Sequence, residues 1–404
     1  MKTIRLAPVD LQSIRLDMPL PFGLVDRHGV LLAQKGFVFQ NESTLNMLAE
    51  RGRGFFVDFS DLRDPQLRSA QRDYVNQLMN RLESQSTLGE LAKVHLRYPK
   101  SEYIDERLLD WPDIVEICNS MLRTRDSKFF NQRLESMIAI LTHEVKANPD
   151  KTLLALFYLA EQKPHLYSST HSILVCAICA LTASTVLHWS DADVNLLMRC
   201  ALTMNIGMVA LQDALTLQKD ATDLSQRVLI NAHEAMSGHL LEMFGVDDKD
   251  WLNIVRSHHA TIKDPLHCKH RSERLVGLLH RVDVFTAKLS SRVSRMSLSS
   301  SQVMKSAYYD ELGKIDVLGA AIVKAVGVYR PGSFVKLASG EIAVVIRRGK
   351  NTSAPTTVLI LNKYGIPVAS DNVRETSDRN FAITSVVPSN DIHVTLNLDK
   401  LLKI

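Results

Sequence analysis

The feature that most constrains this chain is a run of about 200 residues in which nearly every segment has helical periodicity. The run extends from Pro112 to about Leu318, and its apolar residues recur at three- and four-residue intervals. Pro149, Pro164 and Pro265 interrupt the pattern at places where a helix is expected to end. The pattern predicts an all-α block, in which side chains from several helices can meet in one interior.

Both flanks of this block have the residue pattern of β-structure. Near the N-terminus, VDRHGVLLAQKG and GFFVDF predict strands, and FQNESTLNMLAERG between them predicts a short helix capped by Asn41 or Ser43. After Gly327, YRPGSFVKLASGEIAVVIRRG predicts two strands joined by a turn at Ser339-Gly340, and further short β-runs follow. The predicted fold is therefore multidomain, with a central all-α helical bundle between a small N-terminal α+β module and a C-terminal β-rich domain. The predicted boundaries are 1–62 for the N-terminal α+β module, 63–148 for a helical connector, 149–327 for the helical domain and 328–404 for the C-terminal β-rich domain.

The size and charge of the chain agree with this division and narrow the class of partner. A length of 404 residues exceeds what one core usually supports. The net charge is only +4, and the basic and acidic residues are interspersed. These values give no basis for predicting a nucleic-acid partner.

The N-terminus and the cysteines predict a cytoplasmic protein. The first residues, MKTIRLAPVDLQSIRLDMPL, lack the continuous apolar core of about 7–15 residues that a signal peptide needs. We find no uncharged apolar stretch of roughly 18 residues, so no membrane span is predicted. Among five cysteines, Cys176 and Cys179 form a CxxC inside an apolar helical run, without a second pair that would complete a zinc site. Buried free thiols are therefore predicted.

The chemistry that the sequence offers lies in the helical block. His171, His233, His258, His259 and Asp283 each lie within or at the end of a predicted helix. Imidazole and carboxylate groups projecting inward from several helices can bind a metal in a bundle core. A single histidine in such a place more often belongs to the core or the surface, so the order of the set carries the argument.

The order and the local motifs resemble those of the HD-GYP phosphodiesterases, a branch of the HD metal-dependent phosphohydrolases that cleaves bacterial cyclic di-GMP. The matching segments are HSILV at His171, CALTMNIGM at Cys200 to Met208, AHEAMSG around His233, SHHATI at His258-His259 and HRVDVFTA at Asp283. Arg292 and Arg295 follow Asp283 by nine and twelve residues, where the family has an R-x-x-R that contacts substrate phosphates. The resemblance covers about residues 150–300 and implies an HD-type bundle; HRVDVF and the R-x-x-R offset favour HD-GYP over the related non-catalytic HDOD type.

The departures from the family pattern predict a loss of catalysis. The metal-binding His-Asp pair of the family corresponds here to Met204 and Asn205, the phosphate-contacting Lys corresponds to Met208, and the GYP loop is absent. A thioether is a weak ligand for the metal ions involved, and a neutral amide cannot supply the charge that bridges two cations. Without that bridge, the two-metal mechanism of phosphodiester hydrolysis is lost. The implied vestigial metal site comprises His171, Asn205, His233, His258, His259 and Asp283, with no catalytic residue.

Three functions stay open at this point. The first is a non-catalytic signalling protein that binds partner proteins, with cyclic di-GMP as a candidate ligand at Arg292 and Arg295. The second is a residual metal-dependent phosphodiesterase, in which His233, His258 and His259 hold one divalent metal. Apart from this alternative, no cofactor is expected. The third is a structural helical scaffold, for which Arg292 and Arg295 belong to a solvated helix face. The partner and the oligomeric state are left undetermined.

Overall fold

The structure is a computed structural model of the chain and describes residues 6–58 and 110–404, apart from short gaps. The longer gaps are 10–13, 27–30, 263–265, 267–269, 291–299 and 369–371. Residues 63–109 of the predicted connector lie outside the described residues, as do Cys268, Arg292 and Arg295. The predictions made for them therefore stay predictions.

The chain forms two compact units, Met1–Glu102 and Tyr103–Ile404. In the first unit, four strands form an antiparallel sheet in the order β1-β4-β2-β3, with one helix before the last strand. The Asn41 side chain caps that helix by accepting the Thr44 backbone N–H at 2.9 Å, as the sequence predicts. The elements are β1 (Leu6–Val9), β2 (Leu24–Val25), β3 (Leu31–Ala33), α1 (Glu42–Gly52) and β4 (Phe55–Asp58).

The second unit begins with a long succession of helices, as predicted. Aspartate or serine side chains cap many of them by accepting a backbone N–H in the first turn; these residues are Asp110, Asp126, Ser190, Asp223, Asp248 and Asp316. The helices are α2 (Trp111–Arg123), α3 (Ser127–Ala147), α4 (Pro149–Gln162), α5 (Tyr167–Leu181), α6 (Asp191–Thr203), α7 (Val209–Leu217), α8 (Leu224–Met243), α9 (Lys249–Arg256), α10 (Arg271–Leu289), α11 (Ser300–Tyr308) and α12 (Val317–Val326).

Helix α5 lies at the centre of this unit. All fifteen of its residues are buried, and α4, α6 and α10 are among the helices that pack around it. Helices α2 and α3 contribute to the same core, so residues 110–148 pack with the later helices. Two helical stretches, Tyr167–Val186 and Asp191–Leu217, are long and apolar enough to cross a membrane, but most of each is buried inside this fold.

Five strands near the C-terminus form an antiparallel sheet in the order β8-β7-β6-β5-β9, confirming the prediction of β-structure after the helices. Alternation along β6 directs Val344 and Ile346 into the helical core, whereas Ala343 and Val345 pack in a separate small cluster. Arg348 binds Asp150 of α4 across this junction. The strands and the last helix are β5 (Phe334–Leu337), β6 (Ile342–Arg347), β7 (Thr356–Leu361), β8 (Val373–Glu375), β9 (Ile383–Val387) and α13 (Leu398–Leu401). Helices and sheet share one hydrophobic core, and the predicted domain boundaries stay predictions.

Candidate metal centre

The segment that departs most from the family pattern forms a break between two helices. Helix α6 ends at Thr203 and α7 begins at Val209, with a single 3-10 turn, Ile206–Met208, in the interval. The Gly207 N–H donates to Ser237 Oγ of α8 at 3.0 Å. A Cβ at Gly207 would lie 2.8 Å from the Ser237 backbone nitrogen, so this close approach requires glycine. The Ile-Gly turn therefore lies against α8, one turn away from His233.

Met204 and Asn205, at the start of this break, are both buried. Met204 belongs to the main hydrophobic core. Asn205 Oδ1 has no hydrogen-bond partner among the residues that the structure describes. A buried amide oxygen without a hydrogen-bond donor is unusual in a folded protein. Asn205 Oδ1 is such an acceptor, and it lies at the turn that packs on α8, the helix that carries His233.

His171 and Asp283 form a buried pair between α5 and α10. His171 Nε2 lies 2.7 Å from Asp283 Oδ1, and the ring of His171 stacks on that of Tyr167. Burial opposes ionisation of Asp283, but the hydrogen bond from His171 and nearby imidazoles favour it and bring the pKa of Asp283 down to about 2. Asp283 is therefore a carboxylate at neutral pH, and His171 is its direct partner.

The other three histidines form a separate cluster between α8 and the end of α9. The nitrogen atoms that His233, His258 and His259 offer as ligands all lie within 4.8 Å of one another. His233 Nε2 and His258 Nε2 are 3.1 Å apart. The Nδ1 of His233 contacts the Ile230 carbonyl, and the Nδ1 of His258 lies 2.7 Å from the Val255 carbonyl.

These contacts determine which nitrogens are free to bind a metal. A carbonyl oxygen only accepts hydrogen bonds, so each Nδ1 must carry the proton that it donates. In the neutral state, His233 and His258 therefore direct two unprotonated Nε2 lone pairs at each other. Either a proton or a cation must lie between them, and backbone carbonyls commonly orient metal-binding histidines in this way. Zn–N bonds of about 2.0–2.1 Å place neighbouring nitrogens roughly 3.3 Å apart, close to the spacing observed here.

The pKa values of His233 and His258 disfavour a proton between the two rings. Burial is the largest cause that lowers the pKa of His233 and His258, and for His258 the value falls to about 4. The neighbouring imidazole of His259 lowers both further. His233 and His258 are thus neutral at physiological pH, the form in which imidazole binds metals.

Two further side chains belong to this site although the sequence analysis did not select them. Glu234 Oε1 accepts the His259 backbone N–H at 3.0 Å and lies 3.8 Å from His258 Nδ1. The ring of His280 packs edge-on against that of His259, and burial lowers the pKa of His280. Two features of the sequence could have pointed to these side chains. Glu234 directly follows His233, and His280 precedes Asp283 by three residues, which places His280 and Asp283 on one helix face.

The structure thus divides the predicted site residues into groups. His171 pairs with Asp283, whereas His233, His258 and His259 gather around a possible ligand position, and Asn205 is buried at the turn that packs on α8. Electrostatic attraction from the imidazoles of His258 and His259 also lowers the pKa of Asp283. The two groups are therefore electrostatically coupled.

Comparisons with known proteins give little further information. No family model and no curated protein matches the chain. Among solved structures, the chain is similar to Bd1817, described as an HDG"Y"P protein from Bdellovibrio bacteriovorus. The similarity covers 79% of this chain and 99% of that one, with 13% sequence identity and a TM-score of 0.41. A similarity of this size carries no information about ligands or activity.

Proposed function

We propose that the chain is a non-catalytic HD-GYP-like signalling protein of bacterial type, which acts in the cytoplasm by binding partner proteins, with cyclic di-GMP as a candidate ligand. The observation that carries the proposal is the buried Met204-Asn205 turn, at the place where the resemblance expects a metal-binding His-Asp pair. Asn205 offers a neutral oxygen in place of a bridging carboxylate, and Met204 offers only a soft thioether. Because Met204 is fully buried, its side chain also occupies space within the core.

The pairing of His171 with Asp283 supports the same proposal. The resemblance assigns both residues to the metal site, yet here they form a buried hydrogen bond of 2.7 Å with each other. To bind a metal through Nε2, His171 would have to give up this contact, because one imidazole nitrogen cannot both donate a hydrogen bond and ligate a metal. Binding two metals would also require a second carboxylate, at the position that Asn205 occupies.

The proposed loss of catalysis is tested by measuring the rate at which the protein hydrolyses cyclic di-GMP in the presence of manganese. The wild-type chain should show no turnover above the uncatalysed reaction. Met204→His with Asn205→Asp restores the family pair and should introduce turnover that a chelator removes. The same double variant in a His233→Ala background is the control and should stay inactive. Chelator-sensitive hydrolysis by the wild-type chain would contradict the proposal.

Ligand binding needs a separate measurement. Calorimetric titration with cyclic di-GMP, with and without manganese, should give saturable heat that Arg292→Ala and Arg295→Ala both weaken, because arginines bind phosphate through several N–H groups. Saturable binding without turnover would identify a nucleotide receptor. An absence of heat would remove cyclic di-GMP and leave partner proteins, to be sought by pull-down with the full chain.

The three-histidine cluster favours a second candidate, a residual phosphohydrolase with one divalent metal. His233, His258 and His259 would hold the metal, which would supply Lewis-acid chemistry. Zinc should then raise the melting temperature, since a ligand at 100 times its Kd stabilises the folded state by about 2.7 kcal/mol. Alanine at any of the three positions should abolish this shift. His239→Ala is the matched control, because His239 is exposed on the same helix.

The outcomes separate the three functions. Zinc binding with phosphodiesterase activity would support the residual enzyme. Zinc binding without activity would indicate a structural or regulatory metal in the non-catalytic protein. If neither zinc nor cyclic di-GMP binds and no partner protein is captured, the chain is a structural helical scaffold.

A further inference from the structure

A cavity of about 290 Å³ lies where helix α4 meets the C-terminal sheet. Helix α4 supplies one wall, and the residues around the start of β5 and after β9 supply the others. The lining combines apolar and aromatic side chains with charged ones. The members that matter below are Leu154, Phe157, Glu161, Arg330, Gly332 and Val394.

The guanidinium of Arg330 is held rigidly in this lining. The Arg330 side chain is only 8% exposed, and its Nη2 donates to Glu161 Oε1 at 2.9 Å. Its Cζ lies 4.4 Å from the centre of the Phe157 ring. Nε and Nη1 have no hydrogen-bond partner among the residues that the structure describes, and Nε is buried. A buried cationic donor without an acceptor is costly and calls for an explanation.

Another arginine of the same sheet shows how a structural pair of this kind is completed. Arg374 also lies over an aromatic ring, that of Phe381, at 4.7 Å. Its Nε and Nη2 donate to the two carboxylate oxygens of Glu341, each at 3.2 Å, and its Nη1 donates to the Val373 carbonyl. All three nitrogens of Arg374 are occupied, whereas Arg330 uses one. Pairing with a carboxylate and a ring therefore does not account for the free donors of Arg330.

Gly332 keeps the space beside these donors open. A Cβ at Gly332 would lie 3.5 Å from Arg330 Nη1, 3.7 Å from Phe157 Cβ and 3.9 Å from Leu154 Cδ1. All three of these residues line the cavity, so a side chain here would take up part of its volume. The backbone at Gly332 also has a φ of +89°, which favours glycine. The free Nη1 thus lies at the wall of an open space.

We propose that this cavity binds a free amino acid with an apolar side chain. Arg330 and Glu161 present one charge of each sign, so Glu161 would repel a ligand that carries only a carboxylate. A zwitterion matches both charges. Its carboxylate would accept hydrogen bonds from the unpaired N–H groups of Arg330. Its ammonium would donate to Glu161 Oε2, which has no partner among the described residues.

The size and the walls of the cavity limit the ligand further. Drug-sized ligands occupy sites of about 300–1,000 Å³, so a cavity of about 290 Å³ suits a single amino acid and is too small for cyclic di-GMP. Leu154, Phe157 and Val394 would bury an apolar side chain. The inference goes beyond the proposed function, because the lining contains no residue of the candidate metal centre. An amino acid bound here would be a separate input to the signalling protein.

The first test is calorimetric titration of the full chain with leucine, isoleucine, valine, methionine and phenylalanine. At least one of them should give saturable heat with one site per chain. For leucine, isocaproate lacks the ammonium and isoamylamine lacks the carboxylate, and each should bind about ten-fold more weakly or worse, since each loses charge-assisted hydrogen bonds. An absence of saturable heat with all five amino acids overturns the proposal. Isocaproate binding as tightly as leucine overturns the assignment of a zwitterion.

The second test removes one charge of the pair. Glu161→Gln keeps an oxygen that can accept from Arg330 but loses the charge that attracts the ammonium. Its affinity for the amino acid should fall by about ten-fold or more, whereas its affinity for isocaproate should stay the same or rise. Glu341→Gln is the matched control, because it makes the same change in the completed Arg374 pair, and it should bind as the wild type does. Equal losses in both variants, or no loss in Glu161→Gln, would overturn the proposal.

The third test changes the shape of the cation and keeps its charge. Arg330→Lys loses the planar fork that binds a carboxylate through two N–H groups. The variant should bind the amino acid and isocaproate more weakly, and Arg374→Lys should bind both as the wild type does. A change in Arg330→Lys that alters the melting temperature but not the affinity would assign Arg330 to the junction of helix and sheet alone and overturn the proposal.

Discussion

Helices α5 and α8 each carry a histidine of the candidate site, but the two helices differ in burial and the two histidines differ in the side chains that they contact. Helix α5 is buried along its whole length, and its His171 is paired with a carboxylate. Helix α8 is mostly exposed, and its His233 faces two other imidazoles. Motif order alone cannot make this distinction, because the order of residues does not specify the partner that each side chain meets. The first histidine is hydrogen-bonded to a carboxylate in the core, whereas the second is surrounded by other imidazoles.

The largest effect that would sharpen this comparison is the removal of Asp283. Asp283→Ala leaves His171 buried without its partner and should lower the free energy of unfolding by about 3–5 kcal/mol. His233→Ala should cost only about 1 kcal/mol, because it relieves the opposition of two Nε2 lone pairs. Urea unfolding with a chelator present measures both. Equal losses in the two variants would remove the distinction between the helices.

The second prediction concerns acid. The pKa of His258 is about 4 in the folded protein and 6.5 in the reference state, so between these values the unfolded chain binds more protons. Stability contributed by neutral His258 is therefore complete above pH 6.5 and falls with pH towards 4. From pH 7.5 to pH 5, the free energy of unfolding should decrease by about 2 kcal/mol in the presence of a chelator.

His258→Gln, which does not titrate, is the control for this acid effect and should make the pH profile shallower, leaving the contributions of His233 and His280, whose pKa values are also lowered by burial. Asp283 does not contribute in that window. Its lowered pKa adds stability above about pH 3.8 that is lost only as pH falls towards 2. An unchanged slope in His258→Gln would show that other groups cause the acid sensitivity.

A smaller effect should follow from adding a methyl group where the Ile-Gly turn meets α8. Gly207→Ala places Cβ 2.8 Å from a backbone nitrogen that cannot easily move, at an expected cost of about 1–2 kcal/mol. At Gly238 the added Cβ meets the flexible Arg256 side chain instead, and alanine also favours helix. Gly238→Ala should therefore cost less in the same thermal unfolding experiment. The reverse ranking would mean that the turn is not held tightly against α8.

The smallest effect is expected on the exposed face of α8. Val228→Ala should change the free energy of unfolding by less than about 0.5 kcal/mol in dilute protein, because little is buried there. Val175→Ala, the same change in the buried helix α5, should cost about 2 kcal/mol. Comparable losses at the two positions would show that Val228 is covered within the monomer.

Much of the fold could be predicted from the sequence because its signals are local. Helical periodicity, the Asn41 cap and the turn residues between the C-terminal strands act over a few neighbours. The pairing of His171 with Asp283 could not be predicted from the residues themselves, since these lie 112 positions apart. Which face of α8 is exposed could not be predicted for a related reason: LSQRVLINAHEAMSGHLLEM has apolar residues on both faces, and only packing decides which face is buried.

The shared core of the helices and the C-terminal sheet has a consequence for how the protein is made. Strand β9 pairs with β5, so one edge of the sheet is completed by a segment that leaves the ribosome after helices α2–α12 and the other four strands. Before strand β6 has been made, the helical surface that Val344 and Ile346 cover is open to water and to chaperones. Premature termination anywhere in the sheet should therefore yield a chain that is degraded, rather than a shorter working protein.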